Sequence, residues 1–405
     1  MSIFENAGDR PAFADIIAPV TPETFFAEYY DRKPLHIPGD AGKFGGLMDW
    51  DILTRLLNKT AIWTNKSLML VADRQPVPAR AYCESVDDRA GNSVLQPVPE
   101  KVMEFLRQGA SLVANDIDTL TPELCALADA FEAAYDAKTQ VNLYCSWKQR
   151  QAFNSHFDTH DVFALHVEGE KVWRVYNTRM PHPIRHARHQ NDAYAEPAHE
   201  QQRGDLLMEV TMRPGDVLYL PRGWYHDALA TSGGTIHMAF GVTSVIGLDV
   251  IGALSDFAVE DEAFRMNLPR SEAGPEALAA AIADLGDRLR SLSRDPGVLD
   301  SIRAHQAGFR NHRMGFSLPV EVVEKRFART GPGFKVVRQG GRAALVGPRG
   351  GVPIPPGREA VVEWIVRRPS FGRGDYLDAH AGLPTADLDR LLQELIGMGV
   401  LRPEN

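Results

Sequence analysis

His156-Phe-Asp-Thr-His-Asp-Val-Phe-Ala-Leu-His-Val-Glu-Gly-Glu-Lys-Val-Trp-Arg-Val-Tyr176 is the stretch that decides the fold. It holds two short runs, Val162–Val167 and Lys171–Tyr176, rich in branched and aromatic residues and parted by Glu168-Gly169-Glu170. Runs of that length bounded by turn residues predict β-strands. Val141-Asn-Leu-Tyr, Asp216-Val-Leu-Tyr-Leu and Thr235-Ile-His-Met-Ala-Phe-Gly-Val have the same character. Several such runs in succession predict a small antiparallel barrel or sandwich. The polar stretch from Arg179 to Arg203, with histidines from His182 to His189, is too long for a tight turn. It reads as a surface insertion over one end of the barrel, its histidines solvated.

The same stretch carries the chemistry. On an extended chain residues i and i+2 face one way, roughly 6–7 Å apart, so His156 and Asp158 can converge on one ion. A third ligand is offered by Leu220-Pro-Arg-Gly-Trp-Tyr-His226, read as a turn ending in histidine, with His237 nearby in a strand. Two imidazoles and one carboxylate on one face of a metal form the triad of non-haem Fe(II) oxygenases, which leaves positions for a co-substrate and oxygen. His-x-Asp alone is a weak signal, and its β-rich context is what raises it. A chelating co-substrate such as 2-oxoglutarate needs a cation for its far carboxylate. Lys171 is the first candidate and Arg174, on the opposite strand face, the second. A lysine beside a turn is ordinarily solvated.

On either side of the β region the pattern is helical. Thr21-Pro22-Glu23 and Thr121-Pro122-Glu123 are helix starts, a capping hydroxyl followed by proline where a missing N–H costs nothing. The first helix presents Phe25, Phe26, Tyr29 and Tyr30, and Leu35-His36-Ile37 then alternates like a strand. Leu124, Leu127, Phe131 and Ala134 make the face of the second helix. Helices are predicted again over Leu248–Ala258, Pro275–Leu292 and Pro296–His305, the middle one with a stripe of Leu278, Ile282, Leu285 and Leu289. Gly331–Gly357 reads as a hairpin or linker. Glu359–Asn405 gives three helices and a terminal extended run, the layout of a winged helix.

The 405 residues suit two or three domains. With 44% hydrophobic and 24% charged residues, the chain has the composition of a globular protein. A net charge of −9 argues against a general nucleic-acid binder and suits a basic partner. Within the winged-helix layout, the candidate recognition helix Thr385–Gly397 carries Asp387, Asp389 and Glu394 against Arg390, a poor face for phosphate. The three scattered cysteines form no CxxC pair, which suits a reducing cytoplasm. No apolar run approaches the roughly 18 residues of a membrane span, and the N-terminus lacks a signal peptide's apolar stretch.

Val141–Tyr144, His156–Tyr176 and Arg213–His226 together resemble the JmjC-type cupins of the ribosomal oxygenase group. Phe25–Ile37 also resembles that family's N-terminal segment, and the family's order of barrel, helical region and winged helix is the order read above, so the likeness runs over essentially the whole chain. It implies an α+β protein: a double-stranded β-helix with N-terminal helices at 1–245, a helical dimerisation region at 246–330 and a winged-helix domain at 331–405. It also implies a dioxygenase, dependent on Fe(II), 2-oxoglutarate and O2, that hydroxylates a side chain of a protein or peptide, ribosomal proteins among the candidates. His156, Asp158 and His226 match the iron ligands, Lys171 the residue that holds the 2-oxoglutarate carboxylate, and Asn142 and Tyr144 pocket residues. His237 matches a structural histidine. A homodimer is the implied assembly, while the short apolar runs and the negative charge themselves predict no membrane or nucleic-acid partner.

The sequence departs from the family after Tyr144, where Cys145–Phe153 with Trp147, Lys148 and Arg150 replaces a Pro- and Gly-bearing loop. It departs again at His166, where Gln is common, and at Ala239. Both bear on the substrate rather than on the iron. Two competing readings are a DNA-binding regulator with a cupin sensor, disfavoured by the acidic helix, and a non-catalytic metal-binding cupin scaffold. Complete ligands together with Lys171 weigh against the second.

Overall fold

The computed structural model describes residues 2–6, 10–87, 91, 93–147, 153–186, 198–313, 325–339, 341–348 and 350–404. The expectations placed on Lys148, Arg150 and His189 lie outside them. The chain divides into two compact units, Met1–Arg313 and Met314–Asn405.

The first unit is built on strands β1 (Leu35–Ile37), β2 (Leu68–Ala72), β3 (Gln75–Pro76), β4 (Cys83–Asp87), β5 (Ser93–Pro97), β6 (Ser111–Ala114) and β7 (Ala137–Ser146). They are followed by β8 (Asp161–Glu168), β9 (Lys171–Arg179), β10 (Leu206–Met212), β11 (Val217–Leu220), β12 (Trp224–Ala230) and β13 (Thr235–Ser244). One sheet runs β1-β11-β8-β13-β7-β6-β2-β3, a second runs β10-β9-β12, and β4 and β5 form a hairpin. The paired strands are antiparallel, β13 matching β7 from Thr235↔Ser146 to Ser244↔Ala137. This is an α+β architecture with two antiparallel sheets, as the cupin resemblance implies.

Alternation along the strands sorts side chains between two cores. From β8, Phe163 and Leu165 join a large core with Val141, Leu143, Ile236, Met238, Phe240 and the helices. The intervening Val162 and Ala164 join a smaller core with Trp173, Val175, Met212 and Leu218. Helix Pro122–Tyr135 closes the large core, its Phe131 ring 4.7 Å from Phe163 and 5.1 Å from Phe240. Thr121 caps that helix by accepting the Leu124 N–H, and Thr21 caps helix Pro22–Glu28 through Thr24.

Glycines set two turns that aim the site. Gly169, at φ +69 between β8 and β9, lies so close to Gly234 that a Cβ would meet its carbonyl oxygen at 2.0 Å. Gly223, at φ +87 before β12, would meet that of Met180 at 2.0 Å.

Some sequence expectations need correction. His226 lies within strand β12 rather than at the end of a turn. His156 makes only an isolated bridge to His226, not a regular strand. Strands β2 to β6, β10 and β12 were not anticipated. In the second unit the hairpin reading of Gly331–Gly357 holds and the linker reading does not: Lys335–Gln339 pairs antiparallel with Arg342–Gly347, and Gly350–Pro353 extends the pair to a three-stranded sheet.

The helices after β13 are Gly247–Ala258, Glu262–Arg265, Gly274–Leu292 and Pro296–Ala307. The expected stripe on the third of them faces outward, with Ile282 57% exposed. No described helix is long and apolar enough to cross a membrane. The second unit also holds helices Glu359–Val366, Arg373–Ala379 and Thr385–Gly397 around Val362, Ile365, Leu391 and Leu395. Acids of the last helix are engaged there: Asp389 pairs with Arg373 at 2.7 Å and Asp387 with Arg358 at 3.5 Å. Counting charges on that helix alone therefore overstates its negative face.

Candidate metal centre

Asp158 follows His156 by two residues, and β12 brings His226 opposite. His156 and His226 exchange backbone hydrogen bonds of 3.0 and 2.8 Å. Their rings lie 4.5 Å apart, and His226 Nε2 is 3.5 Å from Asp158 Oδ2. One ligand atom from each of His156, Asp158 and His226 lies within 4.8 Å of the others. No other group of three or more His, Cys, Asp or Glu among the described residues comes together in this way.

Each imidazole is held by the same device. His156 Nδ1 lies 2.8 Å from the Asn154 carbonyl oxygen and His226 Nδ1 3.0 Å from that of Trp224. A carbonyl can only accept, so each Nδ1 carries the proton and each Nε2 keeps its lone pair for a metal. Burial pushes the His156 pKa down and neighbouring His226 pushes it further, which favours the neutral, ligating form. Burial would raise the Asp158 carboxyl, but His160, His156 and His226 outweigh it and hold the group below its usual value. Two free imidazole nitrogens and a carboxylate on one side of a cavity fit a divalent transition metal with open positions.

The cavity beside these groups has a volume of about 340 Å³. Asn142, Tyr144, Lys171 and His237 line it, so the sequence-predicted residues are brought together at one place. Lys171 is 4% exposed and has no ion-pair partner among the described residues. Burial lowers its pKa to about 8. A buried ammonium without a counter-charge fits the far carboxylate of a dicarboxylic co-substrate. Arg174 is not among the residues lining the cavity and pairs with Glu209 at 2.8 Å.

His237 stacks on Tyr144 at 4.9 Å and meets Trp173 edge-on at 5.3 Å. Its Nδ1 and that of His166 are buried without a hydrogen-bond partner. His166 itself holds the β8–β9 turn through the Gly169 carbonyl at 3.0 Å. Trp147 sits 6.0 Å from Trp50, ring to ring.

Sequence reasoning missed Trp173, Phe153, His160 and Gly241, which also line the cavity. Trp173 stacks 5.8 Å from the His226 ring. Its place two residues after Lys171, on the same face of a strand, was the available signal. Gly241 makes room for His160, since a Cβ there would meet the His160 ring at 2.6 Å.

Residues 117–249 match the JmjC domain family, a span that takes in the triad and the residues named as lining the cavity. The bifunctional lysine-specific demethylase and histidyl-hydroxylase NO66 of Drosophila persimilis is 24% identical over 223 residues, 54% of this chain and 30% of its own. Ribosomal oxygenase 2 of Mus musculus is 27% identical over 280 residues, 65% of this chain and 55% of its own. The chain thus spans only part of the length of these relatives. Among solved structures, Escherichia coli YcfD covers 95% of this chain and 98% of its own at 16% identity, with a TM-score of 0.49. The resemblance to JmjC-type cupins of the ribosomal oxygenase group is borne out.

Proposed function

We propose that the chain is an Fe(II)- and 2-oxoglutarate-dependent dioxygenase that hydroxylates a side chain of a protein or peptide. The observation that carries this reading is a ligating triad facing the same cavity as a buried, unpaired Lys171. A metal alone explains the triad; only a metal with an anionic co-substrate explains both. In this reading His156, Asp158 and His226 hold the iron, Lys171 takes the far carboxylate of 2-oxoglutarate, and Asn142 and Tyr144 line its bed. Bound there, iron and its co-substrate supply the oxidation, in which substrate C–H, O2 and 2-oxoglutarate give C–OH, succinate and CO2. The chain's own part is to fix the ligands, neutralise the co-substrate and shield the cavity with Trp173, Phe153 and Tyr144.

Ribosomal proteins are the first substrates to try, because relatives bear the names ribosomal oxygenase and histidyl-hydroxylase. Further parts of the proposal are a catalytic domain at 1–245, a dimerising helical region at 246–330, a winged-helix domain at 331–405 and a cytoplasmic setting. Free thiols at Cys83, Cys125 and Cys145 suit that compartment.

Succinate release with Fe(II), 2-oxoglutarate and ribosomal protein tests the activity, read together with the mass of the protein product. Turnover should require the iron and vanish in Asp158→Ala, and the product should gain one oxygen atom. Turnover by Asp158→Ala equal to wild type would end the assignment.

A further inference from the structure

The ligand-bearing segments have a second face. Neighbours on an extended chain point to opposite sides, so Ser155, Phe157, Tyr225 and Asp227 face away from the cavity while His156, Asp158 and His226 face into it. All four are buried, Asp227 to 3% exposure. Behind the metal site they form a layer that is half aromatic and half ionic.

In the ionic half, Asp227 Oδ2 accepts hydrogen bonds from Ser155 Oγ at 2.7 Å and from the Tyr176 hydroxyl at 2.6 Å. Arg203 Nη1 donates to the same two hydroxyl oxygens at 2.7 and 2.8 Å and stands 3.5 Å from Asp227 Oδ2. Each hydroxyl thus accepts from the cation and donates to Asp227, and Ser155 Oγ also lies 3.2 Å from a second acceptor, Glu200 Oε1. Glu200 closes the group, 2.8 Å from Arg203. In the aromatic half, His199 meets the Phe157 ring edge-on at 5.7 Å, and the Tyr225 hydroxyl donates to Gln202 at 3.0 Å. Segment 198–203 therefore binds both strands of the bridge from behind, next to Ser155 on one and Asp227 on the other.

We infer that Asp227, Arg203, Ser155 and Tyr176 are positioning residues for the metal. They fix the spacing of the two ligand segments and hence of His156 and His226. This rests on the metal reading above but assigns residues that the reading does not use. A buried carboxylate with two short hydroxyl donors and a guanidinium is stiff, because breaking any member leaves a buried polar group unpaired. The bridge it clamps is short: one pair of reciprocal backbone bonds between His156 and His226, with one more from the Gly223 N–H to the Asp158 carbonyl at 2.8 Å.

The test is Co(II) titration of the full chain, followed by visible absorption and calorimetry, with Tm measured for every variant. Wild type should bind one equivalent and Asp158→Ala should lose that binding; equal binding by the two would overturn the metal reading itself. Given that difference, Asp227→Asn and Arg203→Met should weaken Co(II) by about 10- to 100-fold, as removal of groups that orient metal ligands does, and should shift the visible bands. Arg203→Lys should recover part of the loss. Tyr176→Phe and Ser155→Ala, which remove one oxygen each, cover the case in which the charge variants fold poorly. Wild-type affinity and spectrum in all of these variants would overturn the inference. So would affinity losses that only track losses in Tm, because a purely structural network would give that result.

Discussion

Lys171 shows how a single residue divides stability from function. Its ammonium is buried with no counter-charge among the described residues, and burial lowers its pKa from 10.5 to about 8. A depressed lysine pKa means that folding penalises the charged form, by roughly 3 kcal/mol at the conversion of about 1.4 kcal/mol per pH unit. The penalty is present in full below the folded pKa. It is relieved between about 8 and 10.5, where the folded chain gives up its proton before the unfolded chain does. Lys171→Met keeps the apolar stem and deletes the charge, so it should raise stability at neutral pH, an advantage that shrinks as pH climbs through that window. Denaturant melts of both proteins across the alkaline range check the sign. The same variant should lose 2-oxoglutarate affinity at least tenfold, since a hydrogen bond to a charged group is worth about 1.5–3 kcal/mol. A variant both less stable and unchanged in co-substrate affinity would mean that Lys171 is only a core residue.

Between residues and the whole chain stand the strands and helices that aim these groups. Helix Pro122–Tyr135 supports the large sheet from the side away from the cavity, and its first turn depends on Thr121. Thr121→Ala should cost about 1 kcal/mol, the usual worth of such a cap. It should lower the urea midpoint at unchanged slope and leave succinate release per folded molecule intact. That helix was legible because Thr-Pro-Glu and its apolar spacing act locally. Strands β7, β8, β9 and β13 were legible too, since each alternates between two unlike sides: cavity and helices for β7, β8 and β13, cavity and the outer face that carries Arg174 for β9. Leu68-Met-Leu-Val-Ala and Ser111-Leu-Val-Ala were not, because a short apolar run has no period that separates strand from buried helix. Strand β12 was hidden by its composition: Trp-Tyr-His-Asp reads as loop until the fold buries His226 and Asp227. The triad and Lys171 lie within motifs and could be read. The Arg203–Asp227 group could not, because it gathers residues from four segments that only the folded chain brings together.

At the scale of the whole molecule, the helices after β13 leave apolar surface uncovered. Leu248 and Ile251 on helix Gly247–Ala258 are 56% and 61% exposed, and Val259, Leu278 and Ile282 are also open. Helix Gly274–Leu292 buries none of its residues within the chain. Isolated exposed leucines need no explanation, but a concentration of large apolar side chains on adjoining helices marks a contact surface. Fully burying one such side chain is worth about 1.5–3 kcal/mol, so several of them paired about a two-fold axis would favour a dimer. Light scattering at micromolar concentration should then give twice the 44.8 kDa of one chain. Ile251→Glu combined with Ile282→Glu would place carboxylates in that contact and weaken it by a hundredfold or more, about 2.7 kcal/mol. Helix content should stay unchanged, because both positions face solvent in the single chain. Dimerisation also links stability to concentration, so the wild-type Tm should rise with protein concentration and that of the double variant should not. A wild type with the mass of one chain and a concentration-independent Tm would leave this surface without a self-association role. The metal site, complete within Met1–Arg313, would be unaffected by that result.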